Sequence, residues 1–253
     1  TNDVGIKGVA DNVRIMSVRA VPDGDERDKD VANAIIYAVD NGASIINMSF
    51  GKAYAWDKEA VDKAVKYAQK KDVLLVHAAG NDAKETDDLG NFPNDIYNKR
   101  GGLFKSKRAK NWIEVGALSW KGGEDAVASF SNYGKENVDL FAPGHQILST
   151  TPDQGYAKFS GTSMASPVTA GVAAVLRSYF PSLTASQVKD ILMETTVQQM
   201  QMVKKPGSEE KVAFSELCQT GGVVNAFSAV KMAMKTKGKK KIKKKSKQSV
   251  VRP

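Results

Sequence analysis

The chain has 253 residues, 42% of them apolar and 26% charged, enough for one domain with a sizeable buried core. The net charge of +9 sits at one end: residues 235–253 hold nine lysines, one arginine and no acid, while the remainder balances 27 basic against 28 acidic residues. This excludes a basic, nucleic-acid-binding body, the lack of any run of about 18 apolar residues excludes a membrane-spanning helix, and the single Cys218 excludes an internal disulfide.

Residues 13–21 (VRIMSVRAV) predict a strand. Residues 30–41 predict a helix with Val31, Ile35, Ala38 and Val39 on one face and Gly42 as its stop. The acidic run before it, 23–30, reads as a solvated loop. A short apolar strand follows at 44–50 (SIINMSF). Asp57 then looks like an N-cap, with Trp56 and Val61 spaced as a hydrophobic staple, for a helix that presents Val61, Ala64, Val65 and Ala68. Further strands are predicted at 73–79 (VLLVHAA), 112–118 and 138–142. Strands alternating with helices imply parallel βαβ units, and near-continuous apolar strands imply helices on both faces of the sheet. The expected fold is therefore a three-layer α/β sandwich, with ligands bound beyond the carboxyl ends of the strands, after Ser49, Ala79, Ala117 and Ala142.

Residues 163–180 are apolar nearly all round and predict a buried helix. Thr184 and Gln187 form a capping box, with Leu183 and Val188 as its staple, and open a helix that ends near Thr195. Residues 197–221 read as polar and irregular, with a turn at Pro206 and Gly207. A closing helix is predicted at 223–234. The lysine run beyond 234 repels itself and reads as a disordered tail, either simply solvated or weakly bound to a polyanion. Without interleaved aromatics it has no platform for stacking bases.

The segment 159–167 (FSGTSMASP) places Ser163 after a tight Gly161 turn, at the start of the buried helix. Unsatisfied N–H groups and the positive dipole end favour a developing negative charge there. On these grounds alone any serine-capped helix would fit. The string 161–167 (GTSMASP), however, resembles the nucleophile signature of the subtilisin family of serine peptidases. A second segment, 77–82 (HAAGND), resembles that family's oxyanion-hole loop. The resemblance implies Ser163 as nucleophile and Asn81 as oxyanion donor, together with the backbone N–H of Ser163. Segment 46–51 (INMSFG) resembles the strand whose edge pairs with substrate. It implies that Ser49, Phe50 and Gly51 line the cleft and that Ala78, Ala79 and Gly80 form a wall of the primary pocket. Segments 128–134 (ASFSNYG), 138–144 (VDLFAPG) and 222–226 (GVVNA) resemble framework parts of the same family. The similarity covers residues 1–234, with insertions around 83–111 and 197–221, and this stretch is taken as one partial peptidase domain.

The family's aspartate and histidine motifs have no match here. His77 lies inside a predicted strand and reads as a packed or hydrogen-bonded residue. His145 lies in a framework loop. Residues 1–11 resemble the stretch just after the family's histidine helix, so both motifs are expected in sequence upstream of Thr1. The expected activity is a serine endopeptidase acting on polypeptides through an acyl-enzyme, with this chain inactive alone; the alternative is a peptide-binding module that does not cleave. No cofactor is expected. No metal is expected either, because Asn2, Val4 and Ile6, the positions comparable to a calcium loop in some members, offer too few oxygens. A monomer is expected, and the resemblance implies a secreted or cell-envelope setting.

Overall fold

The computed structural model describes residues 5–24, 26–97 and 108–239. Its elements in order are α1 (Asp28–Asp40), β1 (Ile45–Met48), α2 (Lys58–Lys70), β2 (Leu74–Ala78), the short α3 (Thr86–Leu89), β3 (Trp112–Leu118) and β4 (Leu140–Pro143). The hairpin β5 (Ile147–Thr151) and β6 (Gly155–Phe159), α4 (Thr162–Tyr179), α5 (Ala185–Glu194), β7 (Val197–Gln198), β8 (Met202–Lys204), β9 (Lys211–Ala213), β10 (Gly222–Val223) and α6 (Ala226–Ala233) follow. The main sheet runs β1-β2-β3-β4-β10-β7, parallel except for the β10–β7 pair.

The alternation of side chains along each strand builds two cores. Leu74, Val76, Ile113, Val115 and Leu140 point to one face, where α4, α5 and α6 cover them. Leu75, Trp112 and Met48 point to the other, under α1 and α2. The helix faces that periodicity predicts for α1 and α2 are the buried ones. Both faces of the sheet are therefore layered with helices, as expected for the α/β class.

Other expectations are corrected. Residues 13–21 form no strand: the pattern is strand-like, but no sheet edge pairs with it, and Ile15 is 90% exposed. Asp57 does cap α2 by accepting from Ala60 N–H, but the staple fails, because Trp56 turns outward against Tyr54 with 85% of its surface exposed. The run 23–30 is not wholly solvated. Asp28 is buried, its Oδ1 is 2.8 Å from Lys52 Nζ and its Oδ2 accepts from Asp57 N–H. Burial raises this carboxyl, but Lys52 and the N–H groups of Asp57 and Trp56 outweigh burial and leave it below the usual range.

Helix α4 is buried on one face, through Thr162, Ala165, Ser166, Thr169, Val172, Ala173 and Leu176, rather than all round. Thr184 and Gln187 form the capping box, and Leu183 and Val188 are fully buried beside it. The segment taken as irregular holds the β8–β9 hairpin, closed by Ser208 N–H on Lys205 O, and its Phe214 and Leu217 pack with Phe141 in a third core. The last helix begins at Ala226, not 223, because Gly222 and Val223 are drawn into the sheet and Asn225 caps the helix by accepting from Ser228 N–H. Cys218 is buried and free, and burial raises its thiol. Beyond α6, Lys237 O and Lys239 N–H bond the side chain of Gln187; the rest of the lysine run lies outside the described residues, as do Asn2 and Val4.

Candidate active site

Three chain segments end together at the carboxyl edge of the sheet: the exit of β1, the exit of β2 and the start of α4. Parallel strands put all their carboxyl ends on one side, so residues far apart in sequence converge there. Ser163 is the second residue of α4. Its Oγ donates to Ser49 O at 3.2 Å, and Ser49 Oγ donates to Ser163 O at 2.9 Å. Asn47 extends this latch, donating to Ser49 Oγ and accepting from Ser166 Oγ.

Asn81 follows β2 and the Gly80 turn, which takes φ +101°. A side chain at Gly80 would also stand 2.3 Å from Asn132 Nδ2, so this close approach requires glycine. The Asn81 amide is oriented by Thr162, whose N–H and Oγ1–H both donate to Asn81 Oδ1, at 2.8 and 3.0 Å. Thr162 Oγ1 in turn accepts from Gly80 N–H. With Oδ1 engaged, the Nδ2 donor group of Asn81 is left for another partner. The N-cap of α4 is Gly161, with no side chain to occupy the first helical N–H groups. The point where a Cβ on Gly161 would stand is 3.5 Å from Asn81 Nδ2 and 3.6 Å from Ser163 N. Asn81 Nδ2 and Ser163 N thus both border this point, with Asn81 Oδ1, already engaged by Thr162, also 3.6 Å from it.

The predicted cleft residues fall on two walls. Gly51 is exposed and Ser49 and Phe50 are half-buried on one side, while Gly80 is half-buried on the other. Ala78 and Ala79 are buried, so their side chains offer no exposed wall. Asn91, which sequence reasoning did not single out, stands between the walls. Its Nδ2 donates to Ala78 O and Ala79 O at 3.1 Å, and a methyl on Gly51 would stand 2.8 Å from its Oδ1. Asn132, in the framework segment 128–134, braces the loop after β2. Its Oδ1 accepts from Asp82 and Lys84 N–H and its Nδ2 donates to Ala79 O. Asn91 had no signal apart from being an asparagine in a loop, and Asn132 was marked only as part of a framework segment.

Neither histidine bonds Ser163. His77 is fully buried, its Nδ1 against Glu114 and its Nε2 against Phe50 O. His145 contacts Ser119 Oγ through Nδ1 and stands edge-on to Phe130. Among the described residues no group of three or more His, Cys, Asp or Glu side chains is placed to hold a metal ion, and no helix is long and apolar enough to cross a membrane.

Comparison with known proteins gives one consistent picture. Residues 1–228 match the Subtilase family, Peptidase_S8. A thermophilic serine proteinase of Bacillus sp. (strain AK1) is 42% identical over 178 residues, covering 70% of this chain and 39% of the relative. Thermitase of Thermoactinomyces vulgaris is 34% identical over 230 residues, covering 90% of this chain and 69% of the relative. Among solved structures, a protease of Pseudoalteromonas arctica superposes with a TM-score of 0.70 at 27% identity, covering 90% of this chain and 66% of that one. A cold-adapted subtilisin-like serine proteinase gives 0.64 at 31% identity, covering 81% and 67%. The chain spans less than half the length of several of the curated relatives it matches.

Proposed function

Because the chain belongs to the subtilase family of serine proteases, we propose that it carries the nucleophile and oxyanion half of an endopeptidase site acting on polypeptides. Ser163 Oγ attacks the scissile carbonyl, and Asn81 Nδ2 and Ser163 N–H receive the charge that develops on the carbonyl oxygen. The scissile C–N bond then breaks, the amine half leaves carrying the proton given up by Ser163 Oγ, and water hydrolyses the acyl-enzyme left on Ser163. The observation that carries this reading is that Asn81 Nδ2 and Ser163 N both border the point beside Gly161. Ser49, Phe50 and Gly51 on one side, and Gly80 backed by Ala78 and Ala79 on the other, bind the substrate.

A serine hydroxyl is a weak nucleophile without a base. Both histidines are engaged elsewhere, so neither stands ready as a base for Ser163, and the isolated chain is expected to show little proteolysis. That engagement also favours a second reading, a cleft that binds peptides without cutting them. Treatment of the full-length protein with an alkyl fluorophosphonate separates the two. Labelling that disappears in Ser163→Ala supports the nucleophile, and labelling that survives the substitution overturns it. Peptide binding without labelling favours the second reading.

A further inference from the structure

The buried pair His77 and Glu114 lies directly behind the cleft wall and is used by no step above. The two residues are opposite one another in the parallel β2–β3 register, on the sheet face covered by α1 and α2. Glu114 spans both of its oxygens across His77 Nδ1, at 2.9 and 3.0 Å, and its Oε2 also accepts from Trp112 Nε1–H at 2.8 Å. Asn91 Nδ2 approaches its Oε1 at 3.5 Å, and the Glu114 N–H donates to Asp139. The ring is held further between Trp112, with centroids 5.1 Å apart, and Phe50, edge-on at 6.3 Å. On its far side Nε2 is 2.7 Å from Phe50 O. A carbonyl oxygen only accepts, so Nε2 carries the hydrogen of that bond.

The consequence reaches the cleft. In a trans peptide the C=O and the following N–H point in opposite directions. Drawing the Phe50 carbonyl inward therefore turns the Gly51 N–H outward, and among the described residues that N–H has no acceptor. One residue further on, Lys52 and Phe92 exchange both backbone hydrogen bonds at 2.9 Å. The segment is thus fixed on both sides of Gly51, with one free donor facing out, as an added strand would require. We propose that His77, oriented by Glu114, is a positioning residue that holds the Phe50–Gly51 peptide plane so that the Gly51 N–H receives a carbonyl of an extended peptide. This rests on the reading of the Ser163 cleft as a peptide site.

The test compares wild type, His77→Leu and His77→Gln of the full-length protein in two assays: anisotropy of a dye-labelled four-residue peptide, and labelling of Ser163 by a small alkyl fluorophosphonate. His77→Leu is expected to weaken peptide binding by about fivefold to tenfold, the worth of one backbone hydrogen bond. His77→Gln, whose amide can donate to Phe50 O, is expected to recover most of that, and the labelling rate is expected to hold in both. Equal affinity in wild type and His77→Leu, or equal loss in the two variants, overturns the proposal. A readout that needs no variant is the imidazole spectrum of ¹⁵N-histidine-labelled wild type. A protected Nε2–H resonance that shifts when peptide saturates the cleft is expected, and a resonance that peptide leaves unmoved overturns the role. Labelling of Ser163 with peptide affinity indifferent to His77 sinks the positioning role alone. A full-length wild-type protein that takes neither probe sinks it together with the protease reading.

Discussion

Thr162 joins the exit of β2 to the start of α4 through a single buried hydroxyl, which accepts from Gly80 N–H and donates to Asn81 Oδ1. Thr162→Val keeps the shape and the backbone N–H but removes that hydroxyl. It leaves the Gly80 N–H unpaired and loosens the amide that presents Nδ2. The expected result is a loss of about 1–2 kcal/mol in urea unfolding and a slower phosphonate reaction at Ser163; Thr162→Ser should retain both. If the full-length protein cleaves peptides as proposed, Asn81→Ala should lower its kcat by about 10²–10³, the magnitude known for this donor in the same family. Ser163 and Asn81 were legible because each sits in a long, specific string. Thr162 and Asn132 lay in matched strings and Asn91 did not, but the role of none of the three was legible, since it consists of contacts across tens of residues that leave no local pattern. The same holds for His77: its strand setting could be read, but its two partners could not.

At the level of elements, helix ends are fixed by residues from other parts of the chain. Asp72, at φ +62° just past α2, accepts from the N–H of Ala185 in the first turn of α5 through Oδ1 at 2.6 Å and from Arg177 of α4 through Oδ2 at 3.2 Å. One carboxylate thereby ties three helices. Asp72→Ala removes a cap and leaves the largely buried Arg177 without this counter-charge, so a destabilisation of about 2–4 kcal/mol is expected in denaturant titration, with Asp72→Asn partly restoring it. The strands β1 to β4 and the main helices were readable because their apolar runs and 3.6-residue periods record burial directly. The small strands β7 to β10 were missed because two or three residues carry no period. Residues 13–21 misled in the opposite sense: they have a strand's composition, but a strand exists only with a partner, and sequence pattern does not report whether one is present.

Across the whole molecule, buried acids make stability depend on pH. Burial raises Asp95 to about 6; Asp139 and Glu114 add to the rise, while Arg108 and Lys189 oppose it. Asp139 is raised by burial too, against the pull of Lys189 and the Glu114 N–H. An acid raised in the folded state holds its proton there after the unfolded chain has lost it, so its contribution to stability falls as pH rises from about 4 through about 6. The stability of wild type relative to Asp95→Asn should therefore drop across that window, by up to about 3 kcal/mol, and level off above it. Parallel thermal unfolding of the two proteins from pH 4 to 7.5 would measure this. A flat difference would contradict the assigned rise.

The reciprocal hydrogen bonds between Ser49 and Ser163 join residues 114 positions apart. Such a closure cannot form early, since bringing distant segments together costs chain entropy before any contact repays it. Every strand from β1 to β4 lies on or between the segments it joins. The Ser163 hydroxyl is therefore expected to reach this position only once β1 to β4 have gathered between the two segments, while β7 and β10, further along the chain, need not yet be in the sheet. Protection of the Ser49–Ser163 contact during refolding would date the docking of α4 onto the end of β1.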